Sequence, residues 1–322
     1  MKVSSVGWKL LAAVALAYTA SMALAQPKPM QIVVGFPPGQ GVDIVARLLA
    51  ERFSASLGRP VIVSNRPGQG GSIALGAVAK AAPDGDTVTL AALAALVANP
   101  HLYGNVTYDT LKDFAPIGLV YDAPLVLVAN AKQPFSTVAE LVAYAKAHPD
   151  RLAHPSSGNG TVSHLGMADF SRRAGIQLQH VPYKGSADAM LDLVEGRVQV
   201  AMDTVAVTQA YIKSGKLKLL AVASPRRLPQ YPDTPTIAEL GYPGFEAVAW
   251  IGLLAPAGTS KDLIASLNRN VAEAVKSPEF AARLEAAGVQ PRTDTPEAFA
   301  TNIKAEFQKW GELVRLSGAK VD

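Results

Sequence analysis

Gln31-Ile32-Val33-Val34-Gly35-Phe36-Pro37-Pro38-Gly39-Gln40-Gly41-Val42-Asp43 is a β-branched run that breaks into a Pro/Gly loop and resumes as a helix. Residues 31–35 read as a strand, because a short apolar run bounded by turn residues fits a buried strand better than a helix. Asp43 reads as the N-cap of a helix whose apolar face is Ile44, Val45, Leu48, Leu49 and Leu57, and Gly58 ends it. The same order repeats at once. A strand at 61–64 runs into Asn65-Arg66-Pro67-Gly68-Gln69-Gly70-Gly71, and a helix follows from about 72 to 82. Strand, glycine loop and helix in succession predict an α/β fold, with mainly parallel sheets flanked by helices.

Further along, residues 125–130 read as a strand, and Thr137 with Glu140 makes a capping box ahead of another helix. Strands at 198–202 and 217–223 continue this second α/β set. After a strand at 250–254 the chain turns helical, over 260–276, 278–287 and 296–316. A helical tail preceded by a single strand has too few strands to build its own α/β domain, so it is expected to return to the first one. The predicted organisation is a signal peptide over 1–25, domain 1 over 26–126 and 251–322, and domain 2 over 127–250. About 297 residues remain once 25 of 322 are removed, which is more than one core usually serves.

The signal peptide rests on Lys2 and Lys9 flanking the start of an apolar run at 10–20, and on Ala23 and Ala25 at the two positions that a signal peptidase reads. Cleavage is expected after Ala25. The run is shorter than the roughly 20 apolar residues of a transmembrane helix. The chain has no cysteine, which excludes disulfides, thiolate metal sites and a lipid anchor at the cleavage site. Without Lys2 and Lys9, 28 of the 30 basic residues face 26 acidic ones, far from the basic stripe that nucleic acid requires.

Four loops join a strand end to a helix start: 36–42, 65–71, Pro155-Ser156-Ser157-Gly158-Asn159-Gly160-Thr161, and Pro182-Tyr183-Lys184-Gly185-Ser186. Glycine lets backbone N–H groups approach a ligand, and a helix N-terminus favours negative charge, so the combination suits an anion. In open α/β sheets such loops gather at the carboxyl ends of strands, where ligands bind. Gly39-Gln40-Gly41 and Gly158-Asn159-Gly160 begin a dinucleotide fingerprint but place Ile44 and Ser163 at the third glycine, and there is no P-loop lysine. No Gly-x-Ser-x-Gly elbow surrounds Ser156 or Ser157, and the five histidines form no His-Glu-x-x-His pair. Neither a cofactor nor a metal is therefore expected. Asp43 and Asp203 suit either a ligand ammonium or hydroxyl, or a cap and a turn. His164 suits either ligand contact or packing on its helix, and Lys184 either the ligand or solvent.

The ordered series formed by Phe36-Pro37-Pro38-Gly39, Asp43, Asn65-Arg66-Pro67-Gly68, Asp84-Gly85, Ser157-Gly158-Asn159-Gly160 with His164, His180-Val181-Pro182-Tyr183-Lys184-Gly185, Pro232-Asp233-Thr234-Pro235 and Ala255-Pro256-Ala257-Gly258 resembles the Bug-type periplasmic solute-binding proteins of tripartite tricarboxylate transporters. The resemblance covers nearly all of the chain after residue 25. It implies a two-domain Venus-flytrap fold and a monomeric, non-catalytic periplasmic protein. Loops around Pro38 and Pro182 would grip a small carboxylate through backbone groups and ordered water, for delivery to a permease of one large and one small membrane subunit. The ligand-binding residues expected on this basis are Phe36, Pro38, Gly39, Gln40, Gly41 and Asp43 on one side. Facing them are Ser157, Gly158, Asn159, Gly160, Thr161, His164, Pro182, Tyr183, Lys184, Gly185 and Asp203. Gln40 stands where the family usually has a second glycine, and Gln69 where it usually has alanine. Two other functions remain open: a ligand-sensing subunit for a membrane sensor, and a secreted serine hydrolase using Ser157.

Overall fold

A computed structural model describes residues 28–319; the segment read as a signal peptide, with its cleavage site, lies outside the described residues. Strand β1 (Met30–Val34) pairs in parallel with β2 (Val61–Asn65) and β3 (Thr87–Ala92). Helix α1 (Gly41–Leu57) joins β1 to β2 and buries Val45, Leu49 and Phe53 flanked by Ala46 and Ala50. The two alanines let the helix lie close to the sheet. Ile44, expected inside, is turned to solvent. Asp43 is not the N-cap either: Gln40 holds that position and Asp43 lies in the first turn. Helix α2 (Ser72–Val78) stops short of Ala82 and leaves through a turn in which Ala81 N–H donates to Val78 O at 2.9 Å. A π turn over Ala94–Ala98 then leads into the short α3 (Asn99–Leu102).

The strand expected at 125–130 is the far end of a much longer one, β4 (Phe114–Asn130). Pro116 and Pro124 disguise its near end. The ladder shifts register just after Pro116, and Pro124 is the last residue of β4 paired with β9 (Val248–Pro256), so both prolines sit where a missing N–H costs little. From Leu125 onward β4 pairs instead with β7 (Val200–Thr204) and β8 (Leu217–Val222), both antiparallel to it. Around these strands lie α4 (Val138–Ala147), β5 (Ala153–Ser156), α5 (Val162–Ala174), β6 (Gln179–Pro182), α6 (Ser186–Glu195) and α7 (Val205–Lys213). After β9 come α8 (Lys261–Lys276), α9 (Pro278–Ala286), β10 (Gln290–Pro291) and α10 (Pro296–Ser317).

The sheets are mixed rather than mainly parallel. Among the described strands parallel ladders are confined to β1–β2, β1–β3 and β5–β6, with one isolated parallel bridge from Val222 to Thr236, while β9 pairs antiparallel with both β3 and β4. The strand that leaves the first half and the one that returns lie side by side, so they must run in opposite directions. One apolar cluster joins Ile32, Leu49 and Phe53 to Leu267 and Phe280 of α8 and α9, and a second joins Val126 and Val128 to Met190, Leu193 and Val205. A third runs between the halves, from Leu165 and Phe170 on α5 through Ala247 to Phe299, Ile303 and Trp310 on α10. There Phe299 meets Trp250 edge-on, with ring centroids 5.4 Å apart.

Candidate functional site

Strand direction decides which loops face the boundary between the halves. β4 crosses it at Pro124 and Leu125, and β9 begins beside it at Val248 and runs away. β3 is antiparallel to β9 and therefore ends near the boundary at Ala92; β1 and β2, parallel to β3, end there too. On the other side β7 and β8 run against β4 and end at the boundary. The loop after β5 reaches it as well, because a Cβ on Gly160 would lie 1.9 Å from Leu102 of the first half.

Helix capping divides along the same line. The helices that start from the ends of β1, β2, β5, β6 and β7, namely α1, α2, α5, α6 and α7, have no side-chain cap. Of the other helices, those longer than a single turn are capped, α4 by Thr137, α8 by Ser260, α9 by Ser277 and α10 by Thr295, while the one-turn α3, which continues the π turn, is not. An uncapped first turn leaves N–H groups and a positive dipole end without a partner. Here those ends collect where the halves meet.

In the first half, Pro38, Gly39, Gln40 and Gly41 are exposed, with Phe36 half-buried beside Gly71. Asp43 is 1% exposed and spends both oxygens internally: Oδ2 accepts from Gly39 N–H (2.8 Å) and Arg47 Nε (2.9 Å), Oδ1 from Asn65 Nδ2 (2.8 Å) and Arg47 Nη2 (3.0 Å). Burial opposes its charge, but the Arg47, Gly39 and Asn65 hydrogen bonds outweigh it and hold the carboxyl at about 2. Asp43 thus braces the loop. Asn65 Nδ2 also donates to Phe36 O (3.0 Å), tying the first loop to the second. Gln69 adopts the left-handed conformation (φ 44°), and its carbonyl is held by Asn99 Nδ2 at 2.9 Å; Asn99 also donates to Ser72.

In the second half most of the glycine-loop N–H groups are already used. Ser157 N donates to Ser163 Oγ (3.1 Å), Gly158 N to Ser156 Oγ (3.3 Å), Gly160 N to His164 Nδ1 (3.2 Å) and Thr161 N to Gly158 O (3.3 Å). The donors without an acceptor among the described residues are those of Asn159 and of Val162, Ser163 and His164 in the first turn of α5. The anion-facing groups therefore belong more to the helix end than to the glycines. Thr161 Oγ1 closes the loop onto Gly158 O at 2.7 Å. The loop after β6 adjoins through Tyr183 N, which donates to Ser156 O (3.0 Å). Tyr183 OH is directed away, to Asp192 (2.6 Å). Pro182 and Lys184 are exposed, and Gly185 precedes α6. Asp203, at the end of β7, is buried; burial pushes its carboxyl up, against hydrogen bonds from Ser186 and Thr204.

The structure thus pairs the candidates within each half, and no hydrogen bond or ion pair among the described residues joins the two sets. Ser157 and His164 form no hydrolytic pair, since Ser157 Oγ contacts Ser163 Oγ (3.0 Å) and His164 Nδ1 receives Gly160 N–H. Ser156 lies 2.7 Å from His180 Nε2 but is 1% exposed, out of a substrate's reach. Among the described residues no three His, Asp or Glu side chains converge on a metal site. A cleft of about 950 Å³ opens elsewhere, over Asp122, Pro124 and Val248 at the crossing. Its Arg292 and Arg227 are paired with Asp122 and Glu239, which leaves Arg226 as its one cation without an ion pair among the described residues, and no helix start lines it, so the chemistry favours the loops. Arg47, Asn65, Asn99, Ser156 and His180 are the organising residues that reading the loops as ligand contacts passed over. Arg47 and Asn99 lie outside the loops; the i, i+4 spacing of Arg47 from Asp43 is a signal for the first, and no local pattern marks the second.

Residues 45–318 match the model of the tripartite tricarboxylate transporter family receptor. The chain belongs to this family. Protein BugT of Bordetella pertussis is 39% identical over 295 residues, which span 91% of this chain and 90% of that protein. Among solved structures, R. palustris Rpa4515 with adipate is similar with a TM-score of 0.80 at 32% identity, covering 91% of this chain and 99% of that one. MatC (Rpa3494) from Rhodopseudomonas palustris with bound malate gives a TM-score of 0.76 at 32% identity, over 89% and 99%. This family of receptors, rather than enzymes, is the one that the sequence motifs resemble, and no described helix is long and apolar enough to cross a membrane.

Proposed function

We propose that this receptor captures a small carboxylate at the periplasmic boundary between two domains and hands it to a membrane permease of one large and one small subunit. The observation that carries the reading is the collection of uncapped helix starts at that boundary, against capped starts on the four other helices longer than one turn. Each hydrogen bond from such a group to a charged ligand contributes about 1.5–3 kcal/mol, and no arginine is needed. Adipate and malate, bound by two similar proteins, each carry two carboxylates, which suits donors presented from both sides. The first domain comprises 26–126 and 251–322, the second 127–250, and the pairing change at Pro124 and Leu125 supports that division. Pro38, Gln40 and Gly41 contact the ligand from the first domain; Asn159, Thr161 and the loop 182–185 do so from the second, with the buried His164 side chain behind them holding Gly160 N–H. Hinge closure is the known behaviour of periplasmic binding proteins and is taken from that class.

Mass spectrometry of small molecules released on denaturing the purified protein tests the ligand class. A panel of di- and tricarboxylates, aromatic acids and acidic amino acids follows by thermal shift, where a ligand at 100 times Kd adds about 2.7 kcal/mol. A shift with nucleotides or sugars and none with carboxylates would overturn the reading. Uptake into vesicles holding both permease subunits, dependent on the added receptor, tests delivery.

A further inference from the structure

His154 on β5, His180 on β6 and His164 on α5 form a column of stacked rings beneath the glycine loop. His180 lies 3.8 Å from His164, with planes 5° from parallel, and 4.9 Å from His154, with planes at 23°. Two of the rings hold the loop directly. Gly160 N–H donates to His164 Nδ1 at 3.2 Å, and His180 Nε2 lies 2.7 Å from Ser156 Oγ, which bonds to both N–H and C=O of Gly158 at 3.3 and 3.1 Å. A nitrogen that accepts a hydrogen bond carries no proton, so His164 is neutral with its proton on Nε2. Protonating Nδ1 would aim N–H at N–H and break the bond to Gly160.

The other rings tolerate charge no better. His154 is 3% exposed, and its Nδ1 has no partner among the described residues. Surrounding elements do not compensate. Asp169 on α5 is taken by Arg172 and Arg173, and Asp192 on α6 by Tyr183 and Arg197. Asp188 on α6, Lys184 after β6 and Asp203 on β7 make no hydrogen bond or ion pair with the rings among the described residues, and neither do Glu306 and Lys309 of α10, which packs on α5 and pairs those two with each other. Burial first, and the neighbouring rings second, hold His164 at about 4 and His154 at about 3.

We propose that His164 and His180 are positioning residues that keep the loop 156–160 in its ligand-receiving shape only while the histidine column is uncharged, so that carboxylate binding is linked to proton loss from the column. The proposal rests on reading this loop as part of the carboxylate site. Two variants separate position from charge. In His164→Asn the amide oxygen takes the place of Nδ1 and still accepts from Gly160, but does not titrate. In His180→Gln the amide nitrogen takes the place of Nε2 beside Ser156.

Ligand-free NMR from pH 7.5 to 4 decides whether the column controls the loop. The Gly160 amide resonance is expected to move with the His164 titration in the parent protein and to stay still in His164→Asn; an amide indifferent to pH in the parent overturns the proposal. Calorimetry with adipate and malate as probes decides the linkage. The two probes bind the parent and both variants comparably at pH 7, and by pH 4 the affinity of the parent relative to His164→Asn falls at least about twofold, because half the protein is then incompetent. Taking the ratio cancels protonation of the probe itself. A parallel fall in parent and variant overturns the linkage. If neither probe binds at pH 7, the carboxylate that the thermal-shift panel selects takes their place in the same comparison, and the amide titration decides the control of the loop in either case.

Discussion

Asp43 shows how a residue that looks like a ligand contact serves the loop instead. Both of its oxygens are saturated by Gly39, Arg47 and Asn65, and its side chain is buried. Asp43→Ala leaves Gly39 N–H, Asn65 and the half-exposed Arg47 without this acceptor, and is expected to cost about 2–3 kcal/mol in denaturant melts at pH 7. The sign with pH follows from a carboxyl depressed from 3.8 to about 2. Its contribution is complete above about pH 4 and is lost as pH falls through 3.8 towards 2, so the gap between parent and variant should narrow over that interval. An unchanged gap would place the stabilisation in packing rather than charge. Carboxylate affinity should fall as well, because the Gly39 loop loses its brace.

At the scale of elements, the caps offer a direct test of the functional reading. Gln40 is the exposed N-cap of α1 in an extended conformation (φ −77°, ψ 160°) and makes no capping bond. Gln40→Ser should supply one, raise ligand-free stability by about 1 kcal/mol, and weaken carboxylate binding by occupying an N–H that the ligand would use. Thr295→Ala removes the cap of α10 and should cost about 1 kcal/mol with no change in affinity. Calorimetry and melts on both variants check the contrast; weaker binding in Thr295→Ala, or tighter binding in Gln40→Ser, would count against it. Much of this layout was legible in the sequence, since strand, glycine loop and capped helix are local patterns: Thr137, Pro278 and Pro296 mark helix starts within a residue. The long β4 was not, because its two prolines are tolerated only through its pairing with β9. The spent glycine N–H groups and the histidine column depend on contacts between residues as far apart as His154, His164 and His180, and no local pattern records them.

For the whole molecule, the question is how the two halves are held at one angle. Gly288, in the turn between α9 and β10, has φ 75°, and a Cβ there would lie 2.6 Å from Ala206 Cα and 2.7 Å from Ala206 N, at the start of α7 in the other half. Glycine is required on both counts, since the left-handed conformation is unfavourable for other residues and the clash is with backbone that has no rotamer to escape into. Leu102, which faces Gly160 across the boundary, differs in that its side chain can turn aside. Gly288→Ala should therefore act as a wedge, forcing α7 and the α9–β10 turn apart while each half keeps its own core. The expected outcome is an unchanged helical circular dichroism spectrum, a larger radius of gyration by small-angle scattering at saturating adipate or malate, and a several-fold weaker affinity by calorimetry. Gly160→Ala paired with Leu102→Ala is the comparison, because it introduces backbone strain but no wedge and should leave the radius unchanged. If Gly288→Ala left both radius and affinity as in the parent, the contact with Ala206 would have no part in the liganded arrangement, and closure would have to be set nearer the crossings at Pro124 and Val248.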